Sequence, residues 1–268
     1  ERPDMVAPQR RAGFHDADIE LRLPFGQRQC DQASRKAAPG NGNVTMGGSI
    51  RHSRALMALP EKRKAERIKE MTTPLGTLID SIAEDGAGRW SVNASEDWRQ
   101  GRTLYGGVSA GLCFAACEKL VPDLPPLRSA QIAFIGPSAG EATLVPTVLR
   151  RGKSVTFMAC DLIADGVVAT RTLFAFGGER ESAFAVEAPA APDVPRPEDC
   201  PPLFRQWAPT FAQHFEMRYA GGGYPVTGAD DGDMIVWVRH KDDDAPAGLV
   251  SLVTLGDALP PASMPRLT

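Results

Sequence analysis

The chain has 268 residues and a formal net charge of −3, with 43% hydrophobic and 24% charged residues. That length suits one large domain or two small ones, and the composition is ordinary for a globular protein. No run of about 18 apolar residues occurs, which excludes a helical membrane span, and a sequence pI of 5.9 speaks against nucleic acid as a partner of the whole chain.

Residues 1–70 carry 14 Lys/Arg against 9 Asp/Glu. They lack a long apolar stretch, so they are not a secretory signal. They also hold turn formers such as Pro39-Gly40-Asn41-Gly42-Asn43. A short charged helix fits residues 61–70 but offers little apolar face. The expectation is that 1–70 is an extension, disordered or a misassigned start, and that the domain begins at Met71. A basic interaction arm or an Arg-rich transit peptide are the other readings, the latter weakened by the acidic residues.

From residue 73 to 82, Leu75, Leu78, Ile79 and Ile82 recur at helical spacing and predict a short amphipathic helix. Residues 90–93 read as a strand, and 93–102 as a polar loop. Gly106 and Gly107 then open a stretch to residue 121 that is apolar on every side and therefore a buried helix. Pro122, Pro125 and Pro126 stop it. Cys113 and Cys117 on this helix read as buried small hydrophobes. The five cysteines are scattered with no zinc-ligand spacing, which fits a reducing cytoplasm and no metal site.

Four strand candidates follow, at residues 127–135, 142–151, 154–163 and 167–176. Asp165-Gly166 between the last two is a two-residue hairpin signal. Six prolines between residues 182 and 202 mark a semi-rigid linker. Beyond it, residues 214–218 and 234–239 read as strands and 249–259 as a second apolar helix. The segments divide as an extension (1–70), a first domain (71–180), a linker (181–205) and a partial second domain (206–268).

One buried helix followed by an antiparallel meander is α+β. A glycine pair at the helix start bares backbone N–H groups that can face a carbonyl or phosphate oxygen. This is the plan of a hotdog fold, in which a sheet wraps a central helix. The second half repeats it weakly, as a double hotdog whose second unit is incomplete. Several alternatives fail. Gly152-Lys153-Ser154 lacks the earlier glycine of a P-loop, since position 147 is Thr. No glycine cluster makes a dinucleotide fingerprint, and no G-x-S-x-G elbow is present. None of His15, His52, His214 and His240 stands at a helix entrance, which argues against hotdog dehydratase chemistry. Asp257 is out of place in the apolar run Leu252-Val253-Thr254-Leu255-Gly256-Asp257-Ala258-Leu259. A carboxylate there is costly unless paired or working, and a general base is its functional reading. A helix-end or solvent-facing Asp is the structural alternative.

From about Thr73 onward the chain resembles the TesB-like acyl-CoA thioesterases (thioesterase II), which are double hotdogs. The resemblance rests on Trp90, Asn93 and Gly101-Arg102 ahead of Leu104-Tyr105-Gly106-Gly107. It continues through Phe134-Ile135-Gly136-Pro137, Leu149-Arg150-Arg151-Gly152-Lys153-Ser154, Leu173-Phe174-Ala175-Phe176, Trp237-Val238-Arg239 and Leu255-Gly256-Asp257-Ala258-Leu259-Pro260-Pro261. It implies an acyl-CoA substrate, no cofactor, a homo-oligomer joined through hotdog sheets, and Asp257 as the catalytic carboxylate. In the family that Asp acts with a Thr or Ser and a Gln from later strands, which would lie beyond Thr268. Tyr105 stands where many relatives have His. Tyr105, Gly106 and Gly107 would bind substrate at the helix entrance, and Arg150, Arg151 and Lys153 would meet the CoA phosphates. A non-catalytic acyl-CoA-binding or scaffold hotdog is the competing expectation.

Overall fold

The computed structural model describes residues 72–268 apart from 185, 188, 189, 205–207, 243 and 244. The basic extension and its expected helix at 61–70 lie outside the described residues.

A first helix, α1 (Leu75–Asp80), leads into β1 (Ala83–Glu84) and β2 (Trp90–Ala94). A short ribbon of β3 (Arg99–Gln100) and β4 (Thr103–Leu104) precedes the long helix α2 (Gly106–Leu120). Then come β5 (Leu127–Phe134), β6 (Gly140–Arg151), β7 (Val155–Ala164) and β8 (Val167–Gly177). The main sheet has six strands in the order β1-β2-β6-β7-β8-β5, with every pairing antiparallel. The β7–β8 hairpin turns on Asp165 and Gly166, both at positive φ (51° and 77°), as an Asp-Gly turn between strands requires.

Helix α2 lies across β6, β7 and β8. Residues 107–117 of this helix are all buried, so its lack of a polar face reflects burial on every side. Phe114 packs edge-on against Phe174 at 5.2 Å and stacks with Phe176 at 6.0 Å. Strand β5 forms one edge of the sheet, beyond the helix, and from Arg128 to Phe134 every residue is exposed.

The later residues form a separate ribbon, β9 (Phe215–Gly222) with β10 (Met234–His240), and a helix, α3 (Leu249–Leu255). This helix is shorter than the sequence suggests. Gly256 closes it by bonding back to Leu252 and Val253, and Pro260-Pro261 cannot continue it. Asp257 therefore lies in the turn after the helix, not within it.

Helices α2 and α3 pack closely because two glycines let them. A Cβ on Gly107 would strike the Thr254 carbonyl and the Tyr105 ring, and one on Gly111 would strike the Thr254 hydroxyl. Thr254 is fully buried and its hydroxyl donates to Val250 O at 2.9 Å, so it has little room to yield.

The segment read as a polar loop also holds core. Trp98 is fully buried at the end of a 3-10 turn (Glu96–Trp98). His214 stacks flat on it, ring centroids 3.6 Å apart, with Nε2 3.2 Å from the Asp97 carboxylate. Thr73 N–H donates to the same carboxylate at 2.6 Å, and Gln213 Nε2 donates to Asp97 O at 3.3 Å. These contacts tie residues on either side of the main sheet's sequence to each other. Burial alone would raise the Asp97 carboxyl. The His214 imidazole, together with smaller hydrogen bonds including that from Thr73, holds it below its usual range instead.

Two outcomes follow from this packing. Gly111→Val should destabilise the protein by about 1–3 kcal/mol through overpacking, seen as a lower urea midpoint. Because its folded pKa is depressed, Asp97 stabilises the fold above the unfolded carboxyl pKa of about 3.9 and loses that contribution as pH falls through the folded value. Asp97→Asn should therefore cost most at pH 7 and progressively less under acid conditions, checked by urea denaturation at both pH values.

Candidate active site

Helix α2 begins without a local cap. Tyr105 occupies the cap position and no side chain there bonds to the first-turn amides. Those amides and the helix dipole favour a nearby anion. The Asp257 carboxylate fills that place: it accepts a hydrogen bond from Gly107 N–H. A Cβ on Gly106 would collide with Asp257 Oδ2 and with the Phe134 ring, so only glycine admits the carboxylate this close. Chain positions some 150 residues apart thus meet at one helix end.

Two opposing effects set the acidity of Asp257. Asp257 is an exposed residue, but protein crowded around its carboxyl takes part of its water away and raises its pKa, and the Gly107 N–H bond lowers it by a smaller amount. The net direction is upward, towards the range where a carboxylate accepts protons more readily.

Tyr105 is placed differently from the sequence expectation. It is fully buried, stacked on Phe211 with centroids 4.2 Å apart. Its hydroxyl donates to Thr254 O, in the last turn of α3, at 2.6 Å. It also accepts the Asp257 backbone N–H. Burial, and then the nearby Asp257 charge, push its pKa upward, so it remains a donor. Tyr105 locks the end of α3, and with it Asp257, against α2. Its side chain is turned inward, away from solvent.

Arg150, Arg151 and Lys153 lie elsewhere. They sit around the β6–β7 turn, where Arg151 bonds Asp123 at 2.5 Å just past the C-terminus of α2. A 15-residue helix separates that end from Gly106, about 22 Å. The glycine entrance and Asp257 come together, and the basic tip does not join them.

Two cavities open beside Asp257. One, about 410 Å³, lies at the α2 entrance and includes Thr103, Gly106, Ser109, Phe134, Ser138 and Thr170 in its wall. The other, about 1180 Å³, is bounded mainly by apolar residues of 203–226 and 258–264. Gln100 and Asp257 belong to both walls. The sequence reading did not single out Gln100, whose exposed position in the β3–β4 ribbon has no local signature. Among the described residues no group of three or more His, Cys, Asp or Glu could hold a metal ion, and no helix is long and apolar enough to cross a membrane.

The architecture has known counterparts. A hotdog-fold protein from Alicyclobacillus acidocaldarius superposes with a TM-score of 0.64 at 21% identity, covering 73% of each chain. An acyl-CoA thioesterase II from Mycobacterium marinum gives 0.52 at 17% identity over 67% of each chain. A TesB protein from Mycobacterium avium subspecies paratuberculosis gives 0.54 at 14% over 69% of each. No curated protein sequence matches significantly. The fold is an α+β hotdog.

The sequence itself carries the family. Residues 94–177 match the acyl-CoA thioesterase N-terminal domain, and residues 192–268 match the acyl-CoA thioesterase C-terminal domain. Together they span more than half of the chain, which belongs to the acyl-CoA thioesterase family.

If Tyr105 acts by holding Asp257, Tyr105→Phe should leave the Thr254 carbonyl and the Asp257 amide without their partner. The expected cost is about 1–3 kcal/mol of stability, together with a fall in kcat at nearly constant KM. A stability loss with an unchanged kcat would assign Tyr105 a structural role alone.

Proposed function

We propose that this protein hydrolyses the thioester of an acyl-CoA, with Asp257 as the base that activates water. The observation that carries the reading is the Asp257 carboxylate seated at the Gly106-Gly107 entrance of α2, open to two cavities. The family match supports the substrate class.

The chemistry needs three things at one place: a base, a donor for the developing oxyanion, and room on either side of the scissile bond. Asp257 takes a proton from water, and the oxygen attacks the acyl carbon. First-turn amides of α2 stabilise the negative charge that grows on the carbonyl oxygen. The tetrahedral intermediate collapses, the C–S bond breaks, and the CoA sulfur leaves as thiolate and takes up a proton. The glycines matter twice, because a side chain there would displace Asp257 and screen the amides from the carbonyl.

The basic tip at Arg150, Arg151 and Lys153 is a surface for the CoA phosphates in this reading, at the opposite end of α2 from the acyl carbon. The bare edge of β5 supports pairing of hotdog sheets between copies. In this reading the chain divides into one hotdog unit and a partial second one, with the helix of each contributing one side of the site.

A specific observation favours a second reading. Asp257 serves as a remote cap for α2 and could do no more than that. The two readings part in one experiment. Asp257→Asn keeps a hydrogen-bond acceptor for Gly107 N–H but cannot take a proton. It should lower the release of free CoA from acyl-CoA at least 100-fold, with thermal stability close to that of the unsubstituted protein. Its raised pKa places the acid limb of the wild-type rate above the pH at which an ordinary carboxylate titrates, about 3.9, and activity should rise with pH through it. Full activity in Asp257→Asn would leave the residue as a cap only.

A further inference from the structure

We propose that the hydroxyls of Ser138 and Thr170 donate hydrogen bonds to the acyl carbonyl oxygen as it gains negative charge, completing the oxyanion site that the α2 amides begin. This rests on the hydrolase reading above and deepens it by naming two further catalytic residues.

The first reason is a shortage of donors. Of the four opening residues of α2, Gly107 N–H is bonded to the Asp257 carboxylate and Ser109 N–H to Tyr105 O at 3.2 Å. Gly106 and Val108 remain, and an amide that meets the base is already occupied. A tetrahedral intermediate is stabilised by donors fixed in place before the charge develops. Side chains of the same cavity are the remaining source.

Elimination picks out two of them. Four hydroxyl residues line the cavity at the α2 entrance, together with Gly106 and Asp257. Thr103 Oγ1 donates to Ser138 O at 3.2 Å and accepts Ser138 N–H at 3.0 Å. Ser109 Oγ donates to Tyr105 O at 3.4 Å. The Ser138 and Thr170 hydroxyls have no partner among the described residues, although the two residues are only 4% and 2% exposed. Neither oxygen is sealed in by protein, so each opens onto the cavity that its residue lines.

Their placement is costly and fixed. A hydroxyl that leaves water without gaining a partner weakens the fold. Two of them in one cavity wall, beside the base, are accounted for by a ligand atom that bonds them. Ser138 is pinned through its backbone, whose carbonyl also accepts Leu104 N–H at 2.6 Å. Thr170 lies in the β-ladder opposite Phe134, and the Phe134 ring borders Gly106. A hydroxyl on a fixed backbone turns its proton towards an acceptor without moving the chain. Neither hydroxyl gives up that proton. Asp257 alone takes a proton from water, and the two hydrogen bonds stabilise the charge on the carbonyl oxygen.

The test uses the full chain, with kcat and KM measured on whichever of acetyl-, octanoyl- and palmitoyl-CoA the wild type hydrolyses fastest. Ser138→Ala and Thr170→Val are each expected to lower kcat about ten-fold or more at nearly constant KM. Thr170→Ser, which restores the hydroxyl, should recover most of the rate lost in Thr170→Val. The acid limb of the rate should stay in place in every variant, because the base is untouched. The urea midpoint should hold or rise in Ser138→Ala and Thr170→Val, since each removes an unpartnered buried hydroxyl. A fall of that size with a retained midpoint in either variant supports the proposal. A smaller change in both, or a fall seen only with a lowered midpoint, overturns it. A wild type that turns over no acyl-CoA overturns the hydrolase reading and this proposal together, whereas an active wild type with unaffected variants overturns this proposal alone.

Discussion

The closeness of α2 and α3 is the constraint on which the site depends. Gly107 and Gly111 present bare backbone, one turn apart, to Thr254 and its neighbours. With side chains at these positions the helix axes would move apart, and Asp257, two residues beyond the end of α3, would lose its reach to the α2 amides. On the proposed mechanism the packing is therefore as much a functional requirement as a structural one. The Tyr105 hydroxyl reinforces it by bridging the Thr254 carbonyl and the Asp257 amide. The start of α2, which has no side-chain cap of its own, is satisfied from just beyond the end of α3.

That point balances two electrostatic tendencies. A helix N-terminus attracts negative charge and keeps a carboxylate ionised. Partial loss of its hydration does the reverse, and here it is the larger effect although the residue stays exposed. The outcome is a carboxylate that is held in place by an N–H bond and still retains appetite for a proton. A fully solvated Asp would be a weaker base, and a deeply buried one would not ionise. The open cavities on either side maintain the intermediate condition.

Much of this was legible in the residues. The buried helix announced itself through an apolar surface on all sides and the prolines after it. The β7–β8 turn was marked by Asp165-Gly166, and β2 and β5 to β10 fell within about four residues of their expected limits, whereas the two-residue strands β1, β3 and β4 had no counterpart in the sequence pattern. Asp257 was visible as a charge in an apolar run. What one sequence could not show was its partner, because nothing local links position 257 to position 107. Tyr105 was read as a substrate contact because it adjoins the glycines, yet local sequence does not reveal which way a side chain turns, and this one turns inward. Trp98 was missed for a similar reason: polar neighbours made its segment resemble a loop, while its ring and the His214 imidazole stack out of solvent. The basic tip was legible by charge type, but its distance of about 22 Å from the glycine entrance, set by the length of α2, was not.

The origin of Asp257 and its amide partner in distant stretches of chain has a consequence for how the protein matures. A nascent or partly folded chain exposes a carboxylate in one place and a bare helix end in another, and neither is a competent catalyst. On the proposed mechanism, reactivity towards thioesters arises only when α3 docks on α2, so the chain would be chemically silent towards acyl carriers until that contact forms. On the same mechanism, hydrolysis becomes a sensitive report of tertiary structure, since any loosening between the two helices separates Asp257 from the α2 amides before the sheet itself is lost.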